Sequence, residues 1–190
     1  MSPSPGGYRD HVAAVADASG LPVIIYSAPS LPATDEVVEG LLDVEGFAGV
    51  KEEFFDVATT AQRIPRWGDR LRWWGVGEQE GCDFAAVGAT TVTTSLANVA
   101  PLAATRYIRA RLDGRAPDAA DAAVVARWEG SMSASREGVP AFLKEAMHRH
   151  AGWRRDVRPP LRSADAATRD EVAAILAACA DPGARAGVAA

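Results

Sequence analysis

A lysine and a tyrosine stand where amine and phenol chemistry could be combined. Lys51 follows the apolar run Phe47-Ala-Gly-Val, and Tyr26 closes the apolar run Val23-Ile-Ile. An amine placed among apolar neighbours gives up its proton more easily and becomes a nucleophile toward a carbonyl carbon. A phenol beside it can pass a proton to and from a bound carbonyl or imine. These residue types predict covalent amine chemistry at Lys51, with Tyr26 as a proton relay.

Both residues also have a purely structural interpretation. Lys51 could be a lysine that reaches solvent at the end of a strand, and Tyr26 could be a tyrosine that packs there. Lysine is rare in this chain, however, because Lys51 and Lys144 are the only lysines among 20 Lys and Arg residues. Since arginine serves almost everywhere else, a retained lysine indicates a task that needs an ammonium group.

The elements that must position these residues alternate between strands and helices. Apolar and β-branched runs predict strands at 22–26, 47–51, 71–75 and 90–94. Helices are predicted at about 8–18, 34–43, 55–65, 79–87 and 102–112, and a loop at 1–7. This alternation predicts βα units and a parallel sheet, in which chemistry is placed at the carboxyl ends of the strands. Tyr26 and Lys51 would then be neighbours at that edge.

After Gly114 the pattern changes to helices alone. They are predicted at 118–135, 139–151 and 166–180, and the last carries Thr168-x-x-Glu171, a capping-box pattern. We predict four βα units over 1–114, a helical extension over 115–182 and a frayed tail over 183–190. Four strands could form a small open sheet or half of an eight-stranded barrel, because a complete (β/α)8 barrel does not fit this length.

Composition excludes several classes of function. The chain has 190 residues, 48% of them hydrophobic, and a net charge of −5. An acidic balance argues against nucleic acid or a membrane surface as a partner. No secretory leader and no membrane span can be recognised, so we predict a cytoplasmic location. Cys82 and Cys179 are too few and too far apart for a zinc site, and no metal is expected.

Four ordered motifs resemble the dihydrodipicolinate synthase/N-acetylneuraminate lyase family. The run Pro22-Val-Ile-Ile-Tyr-Ser-Ala-Pro29 is similar to its strand-five motif, and Phe47-Ala-Gly-Val-Lys-Glu52 to its strand-six motif, Gly-x-Lys followed by Asp or Glu. The segment 88–101 resembles its strand-eight segment, and Val157-Arg-Pro-Pro-Leu161 resembles the turn before its last helix. The resemblance, over about 5–180, implies a partial TIM barrel, the last four βα units of a (β/α)8 barrel, followed by a three-helix extension.

The resemblance also implies a mechanism. Lys51 would form a Schiff base with a 2-oxo acid such as pyruvate, and Tyr26 would shuttle protons while C–C bonds are made or broken. Thr93 matches the strand-eight residue whose backbone lines the pyruvate site. No metal or organic cofactor is implied, because the protonated imine is itself the electron sink. The implied activity is that of a lyase, either an aldolase or a hydro-lyase.

The resemblance begins at the family's fifth strand. It implies that strands one to four are absent, so that activity would need a complementing half-barrel, either a second copy in a homo-oligomer or a separate polypeptide. The alternative is a catalytically inactive, truncated family member or a non-catalytic partner of a full-length paralogue. Leu31 stands where members that make dihydrodipicolinate carry arginine, and Thr90-Thr91 also resembles 5-dehydro-4-deoxyglucarate dehydratases. The second substrate therefore stays open.

Overall fold

The computed structural model describes residues 4–179, which divide into two compact units between Thr93 and Thr94. In chain order the first unit contains α1 (Pro5–Ser19), β1 (Val23–Ser27), α2 (Asp35–Leu41), β2 (Phe47–Glu52), α3 (Val57–Trp67), β3 (Arg72–Val76), α4 (Gln79–Ala86) and β4 (Thr91–Thr93). Short 3-10 helices lie at Gly68–Arg70 and, in the second unit, at Leu96–Asn98. The predicted alternation of strands and helices is confirmed.

Within the described residues, the second unit contains helices and no strand. It contains α5 (Pro101–Leu112), α6 (Ala119–Ala134), α7 (Gly138–Ala151) and α8 (Ala166–Cys179). The compact units divide earlier than the domain boundary predicted at residue 114, because α5 packs against α6. The predicted tail at 183–190 lies outside the described residues. No helix within residues 4–179 is both long and apolar enough to cross a membrane.

The four strands form one parallel sheet in the order β1-β2-β3-β4. One face packs against the helices, and its central side chains, Ile25, Val50 and Trp73, are buried in the core. Successive residues of a strand point to opposite faces, so the other face carries the residues between them. We call it the open face, and it is formed by Ile24, Tyr26, Gly49, Lys51 and Trp74. Ile24 and Tyr26 are 42% and 44% exposed there.

The predicted loop at 1–7 is wrong for residues 5–7, which form the first turn of α1. Ser4 is the N-cap, and its Oγ accepts a hydrogen bond of 3.2 Å from the amide of Gly7. Pro5 suits the first helical position because its ring fixes φ and its missing N–H would have no partner there. A capping serine and a proline therefore start this helix in a segment whose glycines and prolines indicated a loop. Residues 1–3 lie outside the described residues.

The predicted capping box of α8 is also wrong. Asp165 caps the helix, and its Oδ1 accepts a hydrogen bond of 2.8 Å from the amide of Thr168. Glu171 instead binds α6, where Arg127 donates two hydrogen bonds of 2.7 Å and Ser131 donates one of 2.8 Å. These donors lower the pKa of Glu171 from 4.5 to about 2. The carboxylate thus joins α6 to α8 rather than closing its own helix.

We expect the helical unit to lose this stabilisation in acid. Since the pKa of Glu171 is lower in the folded chain than in the unfolded chain, the contribution is present above about pH 4.5 and is lost as the pH falls toward 2. The pair is partly exposed, so the effect is modest. Thermal unfolding followed by circular dichroism should give E171Q a lower melting temperature than the wild type near neutral pH and the same melting temperature in strong acid. A gap that is constant across this range would contradict the prediction.

Gly49 allows β2 and β3 to approach closely. A Cβ atom built on it would meet the backbone carbonyl of Arg72, and it would lie 2.6 Å from Cζ3 of Trp74. A backbone carbonyl in a paired strand cannot swing aside, so Gly49→Ala should force the strands apart and destabilise the fold by about 1–3 kcal/mol. Chemical unfolding measures this loss. Gly40→Ala is the control, because nothing lies within 4 Å of a Cβ at that helical position, and equal losses would refute the steric argument.

Candidate active site

Tyr26 and Lys51 lie side by side on the open face. They are opposite each other in the parallel pairing of β1 and β2, one residue before each strand ends. The Nζ atom of Lys51 lies 4.3 Å from the centroid of the Tyr26 ring. A cation at this distance is attracted by the negative face of the ring. The predicted adjacency of the amine and the phenol is therefore confirmed, although their catalytic roles stay predictions.

Among the described residues, no carboxylate holds the amine of Lys51. No hydrogen bond or ion pair of this amine is present within residues 4–179, and the side chain is half-buried. The phenol ring beside it is accessible to solvent. An amine that is neither ion-paired nor enclosed can be approached by a small molecule from the open side of the sheet.

Trp74 borders the same site from the third strand. It is opposite Lys51 in the pairing of β2 and β3, and its ring extends over Gly49, as the close approach of Cζ3 shows. A side chain at position 49 would displace this ring. The sequence alone did not connect Trp74 with Gly49 or with the amine.

Thr93 lies at the carboxyl end of β4, on the open face. It is two residues after Thr91, the partner of Trp74, so its side chain shares the face that carries Lys51. Its hydroxyl donates a hydrogen bond of 3.0 Å to the carbonyl of Gly75. Strand β3 separates Thr93 from Lys51, whereas Tyr26 is on the adjacent strand. The structure thus brings Tyr26 and Lys51 together and leaves Thr93 at the far side of the same sheet edge.

Behind the sheet, Glu52 and Arg63 form a buried ion pair that sequence reasoning missed. Glu52 is the neighbour of Lys51 and points to the opposite face, where it is 1% exposed. The Nη1 atom of Arg63 donates to its Oε2 at 3.0 Å. One signal was available in the sequence, since Thr60, Arg63 and Trp67 follow helical spacing, and all three are buried in α3. An arginine on such a stripe indicates a buried partner of opposite charge.

Glu53 directly follows β2, two residues after Lys51. The amide of Glu53 donates a hydrogen bond of 3.0 Å to the carbonyl of Ser27, which ties the ends of β1 and β2 together. Partial burial raises the pKa of the Glu53 carboxyl, and the charge of Glu80 raises it further. Within residues 4–179, no three His, Cys, Asp or Glu side chains are grouped so that they could hold a metal ion.

The chain is similar to known proteins over most of its length. The sequence model of the Dihydrodipicolinate synthetase family matches residues 1–179. The 4-hydroxy-tetrahydrodipicolinate synthase of Thermomicrobium roseum is 29% identical over 185 residues, which cover 93% of this chain and 59% of that protein. The 4-hydroxy-tetrahydrodipicolinate synthase 1 of Streptomyces coelicolor is 33% identical over 188 residues, with 93% and 58% covered. The chain therefore spans about three-fifths of the length of these relatives.

Solved structures share the fold. The 4-hydroxy-tetrahydrodipicolinate synthase of Methylacidiphilum fumariolicum SolV superposes with a TM-score of 0.75 at 20% identity, covering 94% of this chain and 60% of its own. A catalytic lysine mutant of the sialic acid aldolase of Ruminococcus gnavus gives a TM-score of 0.74 at 14% identity, with 96% and 62% covered. At these identities the likeness concerns the fold alone.

Proposed function

The chain belongs to the dihydrodipicolinate synthetase family, and from this membership we propose that it forms a Schiff base between Lys51 and a 2-oxo acid such as pyruvate. The proposed activity is that of a lyase, an aldolase or hydro-lyase, with no metal or organic cofactor. The observation that carries the proposal is the position of the Lys51 amine, 4.3 Å from the ring centroid of Tyr26 on the open face. Thr93 is proposed as a pyruvate-binding residue at the same edge.

The chemistry needs one nucleophile and one proton relay. The neutral Lys51 amine adds to the keto carbon, a C–N bond forms as the C–O π bond breaks, and the carbonyl oxygen becomes a hydroxyl by taking the proton of the Tyr26 phenol. The resulting phenolate removes a proton from the nitrogen and delivers it to the hydroxyl, which leaves as water, and solvent reprotonates Tyr26. The product is an iminium ion. It withdraws electrons from the adjacent carbon, so a proton or a C–C bond at that carbon can be lost or gained.

Trapping with borohydride tests this proposal. Hydride reduces an iminium to a stable secondary amine, so the intact mass of the chain should rise by one reduced pyruvate adduct, which peptide mapping should place on Lys51. The assay is run on the chain alone at low and high concentration, and on the chain co-expressed with a full-length family member. The absence of an adduct under all of these conditions would refute the proposed activity.

The sheet edges support the proposal of a complementing partner. Within residues 4–179, β1 pairs only with β2, and β4 pairs only with β3, so each has one unpaired side. A cavity of about 480 Å³ lies beside β1 and is lined by Tyr8, Val15, Tyr26 and other residues of α1 and β1. Exposed strand edges and apolar surface favour association. We propose a partial TIM barrel that pairs with a second copy or a separate half-barrel in the cytoplasm.

The same edges favour a second candidate function, that of a non-catalytic partner of a full-length paralogue. In that case the chain should co-purify with a complete family member, and the activity of the complex should be unchanged by Lys51→Ala. Loss of activity in that variant would favour the enzymatic proposal instead. Both outcomes are read from the same purified complex.

A further inference from the structure

Arg63 is enclosed by acceptors and aromatic rings. It is 4% exposed, and its planar group donates to Glu52 at 3.0 Å, to Asp35 at 2.8 Å and to the carbonyl of Ala33. The ring centroids of Phe55, Trp73 and Trp67 lie 4.2, 5.3 and 5.7 Å from its Cζ atom. A guanidinium can donate in its plane and stack on its faces at the same time, which an ammonium cannot do.

One of its acceptors fixes the end of β2. Besides binding Arg63 through Oε2, Glu52 accepts hydrogen bonds on Oε1 from the amides of Phe54 at 2.8 Å and Phe55 at 3.0 Å. Both carboxylate oxygens of Glu52 therefore accept hydrogen bonds at the end of β2. Since adjacent residues of a strand point to opposite faces, holding Glu52 behind the sheet directs Lys51 toward the open face.

The other acceptors fix the end of β1. Ser27, the neighbour of Tyr26, is fully buried, and its Oγ accepts a hydrogen bond of 3.1 Å from the amide of Ala33. The carbonyl of Ala33 and the carboxylate of Asp35 are in turn held by Arg63. The last residue of β2, the loop after β1 and the start of α2 are thus bound to one guanidinium.

We propose that Arg63 is a positioning residue that sets the placement of Lys51 against Tyr26. A buried ion pair is weak support for stability alone, because desolvation of the charges opposes their attraction. Here Glu52 is the neighbour of Lys51 in β2, and Ala33 is joined to Ser27, the neighbour of Tyr26, so the network connects the strand ends that carry the amine and the phenol. The inference rests on the proposed function for its catalytic consequence, whereas its geometric claim stands on the contacts alone.

The geometric claim can be tested by NMR without any reaction. Reductive methylation with labelled formaldehyde marks Lys51 and Lys144, the two lysines of the chain. Methyl groups of Lys51 over the Tyr26 ring should be shifted upfield, and Lys144, which lies in the second unit, is the internal reference. Arg63→Lys adds a third labelled lysine, so the Lys51 signal is identified there as the one that Lys51→Arg removes, and this signal should move toward that of Lys144. Arg66→Met is the matched control, because Arg66 binds Asp35 from the same helix but is 48% exposed and does not contact Glu52.

The catalytic consequence is tested by the rate of trapping with pyruvate and borohydride. Arg63→Lys should slow trapping by about tenfold or more and alter its pH profile, because a misplacement of about 1 Å can cost as much as 10²-fold. Arg66→Met should trap at the wild-type rate. If the wild type forms no adduct, the proposed function fails, and the NMR result still decides whether Arg63 positions the amine.

A second variant covers the case in which Arg63→Lys does not fold. Glu52→Gln keeps an oxygen for the amides of Phe54 and Phe55 and places an amide where Oε2 accepts from Arg63. The chemical shift of the Lys51 methyl groups and the rate of trapping are measured in this variant as well. The positioning role would be overturned by a folded Arg63→Lys or Glu52→Gln in which the Lys51 signal stays at its wild-type position and trapping keeps the wild-type pH profile.

Discussion

Lys51→Ala is expected to abolish the reduced adduct that the chain forms with pyruvate and borohydride. The C–N bond of the proposed intermediate requires a primary amine at the keto carbon, and alanine supplies none. A guanidinium is a poor substitute because it stays protonated, so Lys51→Arg should fail as well. The measurement is the intact mass after trapping, and neither variant should show any mass increase from the adduct.

The second lysine provides the control. Lys144 is exposed in α7 of the second unit. Lys144→Ala should form the adduct as the wild type does, which excludes non-specific reaction with any accessible amine. An adduct that persists in Lys51→Ala and disappears in Lys144→Ala would show that Lys144, and not Lys51, is the reactive lysine.

Tyr26→Phe is expected to slow adduct formation by about 10²–10⁴-fold, the range that positioned acid–base groups contribute. Phenylalanine keeps the ring that lies 4.3 Å from the amine, so the cationic side chain should stay in place. The variant removes only the hydroxyl that moves protons between nitrogen and oxygen. The rate is followed by quenching with borohydride at a series of times.

Tyr8→Phe is the matched control for the phenol. Tyr8 lies in α1 and lines the cavity beside β1 that Tyr26 also lines, and burial raises the pKa of its hydroxyl. The cation–π contact of Lys51 is with the ring of Tyr26. Loss of the Tyr8 hydroxyl should leave the rate unchanged. If Tyr26→Phe forms the adduct as fast as the wild type, Tyr26 is only a packing partner of the lysine.

The pairing of Tyr26 with Lys51 could be predicted because it depends on local patterns. Short apolar runs separated by helical segments define parallel βα units, and parallel strands bring their carboxyl ends to one edge. Each residue stands near the end of its own run, so their adjacency can be predicted without knowing any long-range side-chain contact. The motifs around them also predicted the family, which the match over residues 1–179 confirms.

Arg63 and Trp74 could not be assigned in this way. Arg63 finds its partners 11 and 28 positions away in the sequence, so its spacing from Thr60 and Trp67 indicates burial but not which carboxylates it binds. The ring of Trp74 lies over Gly49 only because β2 and β3 approach closely at that glycine. The start of α8 was predicted wrongly for a related reason. Thr168 and Glu171 fit a capping pattern in the sequence, but in the fold Glu171 binds Arg127 and Ser131 of α6 instead.

Within residues 4–179, the strand order β1-β2-β3-β4 leaves β1 at one edge of the sheet and β4 at the other. If two copies of the chain pair as proposed, two β1 edges cannot join in a parallel arrangement, so the β4 edge of one copy would meet the β1 edge of the next. Such head-to-tail contact yields a closed ring when the rotation between copies completes a circle and an open filament when it does not. Two copies that close would give one discrete particle, whereas failure to close would give species that lengthen with concentration.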